Sequence, residues 1–203
     1  MKTKYSTDYA TNAFDEGGMP PIPGLSCVRG FLYSSQSGSI LEVIDQQAWD
    51  GSLKRRVQQY GYRYNYKASR LEADDFLGDL PGWLQPIAAA VGPYFGDQET
   101  IQQVIVNEYL PGQGIASHVD HVGCFGETVA ILSLGSQLAM DFVAPGTAPQ
   151  KISVLLEPGS LLILRDEARY RWKHGIAGRK SDRVAGKRVP RGRRVSLTFR
   201  SVL

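Results

Sequence analysis

Ile101-Gln-Gln-Val-Ile-Val-Asn-Glu-Tyr-Leu110, closed by Pro111-Gly112, is where the chain takes on a β texture. β-Branched and aromatic residues fill the run and a Pro-Gly turn ends it, which together read as a strand. The same texture repeats downstream. Thr128–Leu134, Gln137–Val143, Lys151–Leu156, Leu161–Arg165 and Arg193–Val202 all read as strands. Gly135-Ser136, Pro145-Gly146 and Pro158-Gly159 mark turns between them. Short strands with regular turn signals predict a mainly β fold with flanking helices, a sandwich or a double-sheet jelly roll.

Upstream of residue 101 the pattern is mixed. Residues 1–24 carry Pro and Gly without periodicity and read as a surface arm. Ile40, Leu41, Val43 and Ile44 space a short helix over Ser37–Gln47, and a second follows Pro81-Gly82 from about Trp83 to Tyr94. Tyr60, Tyr62, Tyr64 and Tyr66 alternate with Gly61, Arg63 and Asn65, predicting a strand with four rings on one face. Most such ladders are core or sheet surface. Arg63 and Lys67 beside this one also suit a platform for single-stranded nucleic acid.

At 203 residues the expectation is a single domain, large enough to bury a core without disulfides or structural metal. The longest apolar run, Ile87–Val91, has five residues, so no helical membrane span is expected. No secretory signal is visible, and two cysteines, Cys27 and Cys124, make no disulfide framework, which suggests a cytoplasmic protein. Cys124 reads as an ordinary thiol.

Charge is uneven. Residues 1–164 carry 10 Lys and Arg against 17 Asp and Glu, a net of −7; residues 165–203 carry 13 against three, a net of +10. A basic run alone is more often a solvated tail than a binding surface. This one includes Arg179, Lys180, Arg183, Lys187, Arg188, Arg191 and Arg193, lying between two stretches that carry the chemistry below. That position favours a polyanionic partner at the mouth of a site. Gly178 to Gly186-Lys187 is no phosphate loop: seven residues separate the glycines and Arg188 replaces Ser or Thr.

Of three histidines, two flank an acid in His118-Val-Asp120-His121. Residues i and i+2 of an extended segment point the same way, so His118 and Asp120 can share a metal ion. A third ligand is available in His174, after Arg169-Tyr-Arg-Trp-Lys. Two histidines and one carboxylate with open positions form the facial triad of non-haem Fe(II) oxygenases. His121 reads as a pocket group beside the metal rather than a ligand. Such an enzyme needs a clamp for an anionic co-substrate, and Arg194-Val-Ser-Leu-Thr-Phe-Arg200 offers one. Its arginines are six apart on one face, about 20 Å along the strand, while Leu197 and Phe199 face the other way.

These residues, with Asn107-Glu-Tyr109, Pro111-Gly-Gln-Gly114, Ser133-Leu-Gly135 and His174-Gly-Ile176, resemble the AlkB family of Fe(II)- and 2-oxoglutarate-dependent dioxygenases. The likeness covers about 101–203 well and the first hundred residues more loosely. Ala168-Arg-Tyr-x-Trp-x-His-Gly-Ile176 and Ser196-Leu-Thr-Phe-Arg200 are most similar to the AlkB-type domain of the animal tRNA wobble-uridine hydroxylase. The resemblance implies a double-stranded β-helix (jelly roll) over about 101–203 with an N-terminal α/β nucleotide-recognition lid over about 1–100. It implies Fe(II) on His118, Asp120 and His174, and 2-oxoglutarate between Arg194 and Arg200, with Asn107, Tyr109 and Ser196 beside it. O2 is the second co-substrate, and succinate, CO2 and formaldehyde are released. A monomer acting on single-stranded or flipped-out nucleic acid is expected, with Tyr62, Arg63, Tyr64, His121, Arg179 and Lys180 toward the substrate.

Two positions depart from the family's bacterial repair prototype. That protein has a carboxylate two residues after the metal Asp, where this chain has Val122, which puts recognition of 1-methyladenine and 3-methylcytosine in doubt. Ser196 stands where it has an amide. Other readings are an oxygenase of a protein or small molecule, disfavoured by the +10 segment, and a metal-bound nucleic-acid reader without turnover. A mere reader has no use for a dicarboxylate clamp.

Overall fold

The computed structural model describes residues 21–65, 70–146 and 150–203. Its strands are β1 (Leu25–Val28), β2 (Val57–Tyr60), β3 (Gln103–Tyr109), β4 (Ile115–His118), β5 (Phe125–Gly135) and β6 (Leu138–Val143). They continue as β7 (Lys151–Leu156), β8 (Leu161–Leu164), β9 (Lys173–Ile176), β10 (Ser181–Val184), β11 (Lys187–Pro190) and β12 (Arg194–Val202). Three α-helices, α1 (Ser34–Asp45), α2 (Gln85–Val91) and α3 (Asp166–Tyr170), accompany them. A six-stranded sheet, β1-β8-β5-β12-β3-β2, faces a four-stranded sheet, β4-β9-β6-β7, and β10-β11 form a separate ribbon. This is the mainly β, two-sheet architecture that the turn spacing predicts. No described helix is long and apolar enough to cross a membrane.

The larger sheet is apolar on its helix side because its central strands alternate strictly. Val195, Leu197 and Phe199 of β12 join Val104 and Val106 of β3, and Ala130, Leu132 and Leu134 of β5, in one core with Ile40 and Ile44 of α1 and Ile87 and Val91 of α2. The period of two sends the intervening residues to the other face. There Val129, Ile131, Leu162 and Leu164 meet Leu138, Met140 and Phe142 of the smaller sheet in a second core. On β12 and β3 that inner face is instead polar: Arg194, Ser196, Thr198 and Arg200 lie beside Asn107 and Gln103, all buried. A polar inner face at one end of an otherwise apolar sandwich is where this fold leaves room for a ligand.

The helices shift slightly from their expected bounds. Helix α1 starts at Ser34 because the Tyr33 N–H donates to Gln36 Oε1 and closes the first turn. Helix α2 stops at Val91 and continues as a 3₁₀ turn over Gly92–Tyr94, where Pro93 has no N–H to extend the ladder. The tyrosine strand is a correction. Strand β2 ends at Tyr60, because Gly61 turns at φ +75° with its Cα against the Gln102 carbonyl, where a Cβ would lie 1.8 Å from the oxygen. The rings therefore diverge. Tyr60 packs edge-on to Trp83, Tyr62 on Phe76 and Tyr64 on Phe125. Tyr66 and Lys67 lie outside the described residues, as do residues 1–20 of the arm.

The β10-β11 ribbon is fixed to the body through Asp182. This buried carboxylate accepts two hydrogen bonds from Arg191, one from Arg179 and one from the Ala139 N–H. Burial opposes its ionisation, but these donors outweigh it and hold the carboxyl below its ordinary range. Its stabilisation is thus complete above the unfolded-state value and is lost as pH falls through the folded one. Asp182→Asn leaves Arg191 buried without its countercharge and should cost about 3 kcal/mol at neutral pH. The gap in Tm from the parent should close between about pH 5 and pH 2. Thermal melts across that range check both; a gap independent of pH would contradict the assignment.

Candidate active site: a His-Asp-His cluster facing two buried arginines

A cavity of about 580 Å³ opens between the sheets. On one wall, antiparallel pairing of β4 with β9 sets His118 directly opposite His174, and their ring centroids lie 4.6 Å apart. A register shift between Ile115 and His118 marks a bulge in β4, the device that re-aims a side chain at a strand end. Asp120 follows two residues later. The candidate ligand atoms of His118, Asp120 and His174 all lie within 4.8 Å of one another.

The protonation states suit a metal. The Ala116 carbonyl can only accept, so His118 Nδ1, 2.8 Å away, carries the proton and Nε2 keeps its lone pair on the Asp120 side. Burial pushes His174 down to about 4 against the pull of Asp120, so its imidazole is neutral at physiological pH. Burial would raise Asp120, but the Arg200 guanidinium beside it outweighs that and holds the carboxyl well below its ordinary value. Two imidazoles and one carboxylate form the donor set of a non-haem Fe(II) site.

The opposite wall is β12 with its neighbours. Arg200 donates to Asp120 Oδ1 at 3.0 Å and to Gln103 Oε1 at 3.0 Å, with its guanidinium 4.6 Å from the Phe125 ring centroid. Arg194 is sealed at 1% exposure and donates to Ser133 Oγ at 2.8 Å, while its Nε and Nη1 have no partner. Burial lowers its pKa to about 10, so it stays charged. A buried cation with N–H groups left unsatisfied among the described residues fits an anionic partner such as a carboxylate. Asn107, Tyr109 and Ser196 line the same space, and Arg55 Nε donates to Asn107 Oδ1 at 2.9 Å.

Tyr64 and His121 also reach the cavity, whereas Tyr62, Arg63, Arg179 and Lys180 do not line it. His121 stands apart from the three-residue cluster, with Nδ1 accepting from the Gly123 N–H. Sequence reading missed Arg55, Gln103, Phe125 and Thr198. Gln103 and Thr198 follow from the alternation of β3 and β12, once the inner face is known. Arg55 sits in an irregular link and has no pattern to reveal it.

The family model for the 2OG-Fe(II) oxygenase superfamily matches residues 32–200. This chain belongs to that superfamily, in its AlkB family. It is 36% identical over 186 residues to protein L905 of Acanthamoeba polyphaga mimivirus, covering 90% of this chain and 86% of that one. It is 33% identical to the ALKBH8 homolog of Arabidopsis thaliana and 35% identical to the tRNA (carboxymethyluridine(34)-5-O)-methyltransferase ALKBH8 of Macaca fascicularis, in each case over 89% of this chain. It spans only 59% and 30% of those two relatives. The solved structure of OsALKBH1 superposes with a TM-score of 0.62 at 17% identity, covering 88% of this chain and 97% of that one, a likeness of fold. As an AlkB-family dioxygenase the protein uses Fe(II), 2-oxoglutarate and O2.

Two substitutions test the two walls. Asp120→Ala should abolish 2-oxoglutarate turnover, measured as succinate, and leave the far-UV circular dichroism unchanged well below Tm, since Asp120 belongs to neither apolar core. Arg194→Met should act in opposite directions on two measurements. Affinity for 2-oxoglutarate should fall about 100-fold, the worth of charge-assisted hydrogen bonds of about 3 kcal/mol. The ligand-free Tm should rise by about 2 °C or more, because an uncompensated buried charge is gone. Calorimetric titration and thermal melts read the pair; unchanged affinity would sink the clamp.

Proposed function

We propose that this AlkB-family enzyme oxidises a modified, uncharged base in single-stranded or flipped-out nucleic acid, with His118, Asp120 and His174 holding iron and Arg194 and Arg200 seating 2-oxoglutarate. Bound there, these groups supply an O2-driven oxidation of a carbon substituent, with succinate and CO2 as co-products and formaldehyde released when a hydroxymethyl product collapses. The chain's own residues supply the rest. Arg194 and Ser133 orient one end of the co-substrate, Arg200 holds the Asp120 carboxylate, and Phe125 and Ile131 exclude water. Leu53, Lys54, Arg55 and Tyr64 border the cavity from the N-terminal half and serve as part of a lid over the base.

The observation that carries this reading is the charge of the cavity wall. Among its described lining residues Asp120 is the one carboxylate, already engaged by Arg200, while Lys54 and Arg55 add positive charge. Val122, where the repair prototype has an acid, is 54% exposed. A cationic methylated base finds no counter-ion here; a neutral base in a phosphate chain does not need one. The ribbon supports a nucleic-acid partner. Arg183 and Arg188 are cross-strand partners, an unfavourable like-charge pair, and with Lys180 and Lys187 they are exposed and have no carboxylate within salt-bridge reach among the described residues. Lys180 abuts Gly112, two residues from Gly114 on the cavity wall. Arg179, Arg191 and Arg193 are spent on Asp182, Asp45 and Glu108 and contribute less to such a surface.

Replacing Lys180, Arg183, Lys187 and Arg188 together with Ala should weaken binding to single-stranded RNA and DNA alike and reduce the log–log salt slope by about 3, at about 0.7 per phosphate contact. Mass spectrometry of tRNA and modified oligonucleotides, before and after incubation with Fe(II) and 2-oxoglutarate, identifies the product. Efficient turnover of 1-methyladenine over neutral modified bases would overturn the charge argument. Turnover of a protein or small molecule, with none on nucleic acid, would overturn the substrate class.

A further inference from the structure

Ala168-Arg-Tyr-x-Trp-x-His174 is a phrase whose histidine has a use and whose arginine does not. Arg169 sits on α3, five residues before His174, and is 2% exposed. Its guanidinium reaches across to the link between β4 and β5 and to the first two residues of β5. There Nη1 donates to the Asp120 carbonyl at 2.8 Å, Nε to Gly126 at 3.1 Å and Nη2 to Phe125 at 3.0 Å, with His121 at 3.5 Å. No salt bridge pairs it with a carboxylate among the described residues. Burial lowers its pKa, while the nearby Asp120 charge opposes that shift.

We propose that Arg169 is a positioning residue that sets the separation of the metal ligands, by tying the backbone that carries Asp120 to the segment that carries His174. The inference rests on reading His118, Asp120 and His174 as the metal site. Three features make the tie necessary. Residues 119–124 belong to no strand, so no ladder holds them. His121, Val122 and Gly123 are exposed, so packing does not hold the middle of this link either. Asp120 is buried, and its carbonyl has Arg169 as its hydrogen-bond donor, so an unanswered carbonyl would be left without it. A guanidinium is the one side chain with five donors in a rigid plane, able to gather several carbonyls at once. Helix α3 is itself anchored by Ala168, fully buried in the core between the sheets, and by Trp172 beside it. Arg169 thus converts packing of α3 into a fixed distance between two ligands that β4-β9 pairing alone does not set.

The test uses Co(II) as the probe, on the full chain, with affinity from calorimetry and ligand geometry from the visible spectrum. Arg169→Met, which keeps the apolar stem, should bind Co(II) about 10- to 100-fold more weakly, the range for residues that orient metal ligands. It should also shift the Co(II) bands. Arg169→Lys keeps the charge but loses the fork, and should lose about 5- to 10-fold. Both measurements are made well below each variant's Tm, so that a merely structural arginine would lower Tm and leave Co(II) affinity and spectrum unchanged. That outcome overturns the proposal. If the Met variant does not fold, the Lys variant decides by the same criterion. Asp120→Ala runs alongside: if it too keeps full Co(II) affinity, the metal-site reading has failed rather than the role of Arg169.

Discussion

Two guanidinium groups buried on the inner face of the central strand are the constraint around which the protein is organised. β12 lies between β5 and β3, so Arg194 and Arg200 project into the interior, 1% and 8% exposed. A charge in that position is tolerable only with a partner. Arg200 has Asp120 and Gln103. Arg194 has one hydroxyl, from Ser133, and two N–H groups with nothing to meet. The interior is therefore electrostatically complete around Asp120 and incomplete around Arg194, an asymmetry that a carboxylate would resolve.

The Asp120–Arg200 pair ties the link after β4 to the central strand β12. It keeps the carboxylate ionised at physiological pH, while burial keeps His174 neutral. Ligands in those states need lose no proton to take a metal. The backbone around Asp120 is held separately by Arg169, so the carboxylate and its peptide carbonyl are held by two different arginines.

The basic C-terminal segment shows how misleading a net charge can be. Of its thirteen cationic side chains, Arg169, Arg191, Arg194 and Arg200 are buried, and Arg179 and Arg193 sit in ion pairs. The surface available to a polyanion narrows to a few groups, chiefly Lys180, Arg183, Lys187 and Arg188 on one ribbon. Asp182 lets that ribbon be both strongly cationic and rigidly seated, because it absorbs the arginines nearest the body.

Much of this was legible in the chain. Period-two alternation in Gln103–Tyr109 and Arg194–Val202 determined which side chains share a face, because the pleat leaves no choice. His118, Asp120 and His174 could be named from residue type and spacing, and the strands with long apolar runs could be placed to within a few residues. The short strands β4, β9, β10 and β11 could not, since four residues carry too little pattern, and their pairing depends on partners far away in sequence. Nor could the fate of the tyrosines be read, because Gly61 turns against the Gln102 carbonyl forty residues on. The sequence by itself determined the chemistry on offer and the faces of its long strands, both local properties of side chain and backbone period. Only the tertiary structure decided which arginines are paired, which are buried with N–H groups unsatisfied and which meet solvent, because a charge's role is set by the neighbours that folding brings to it.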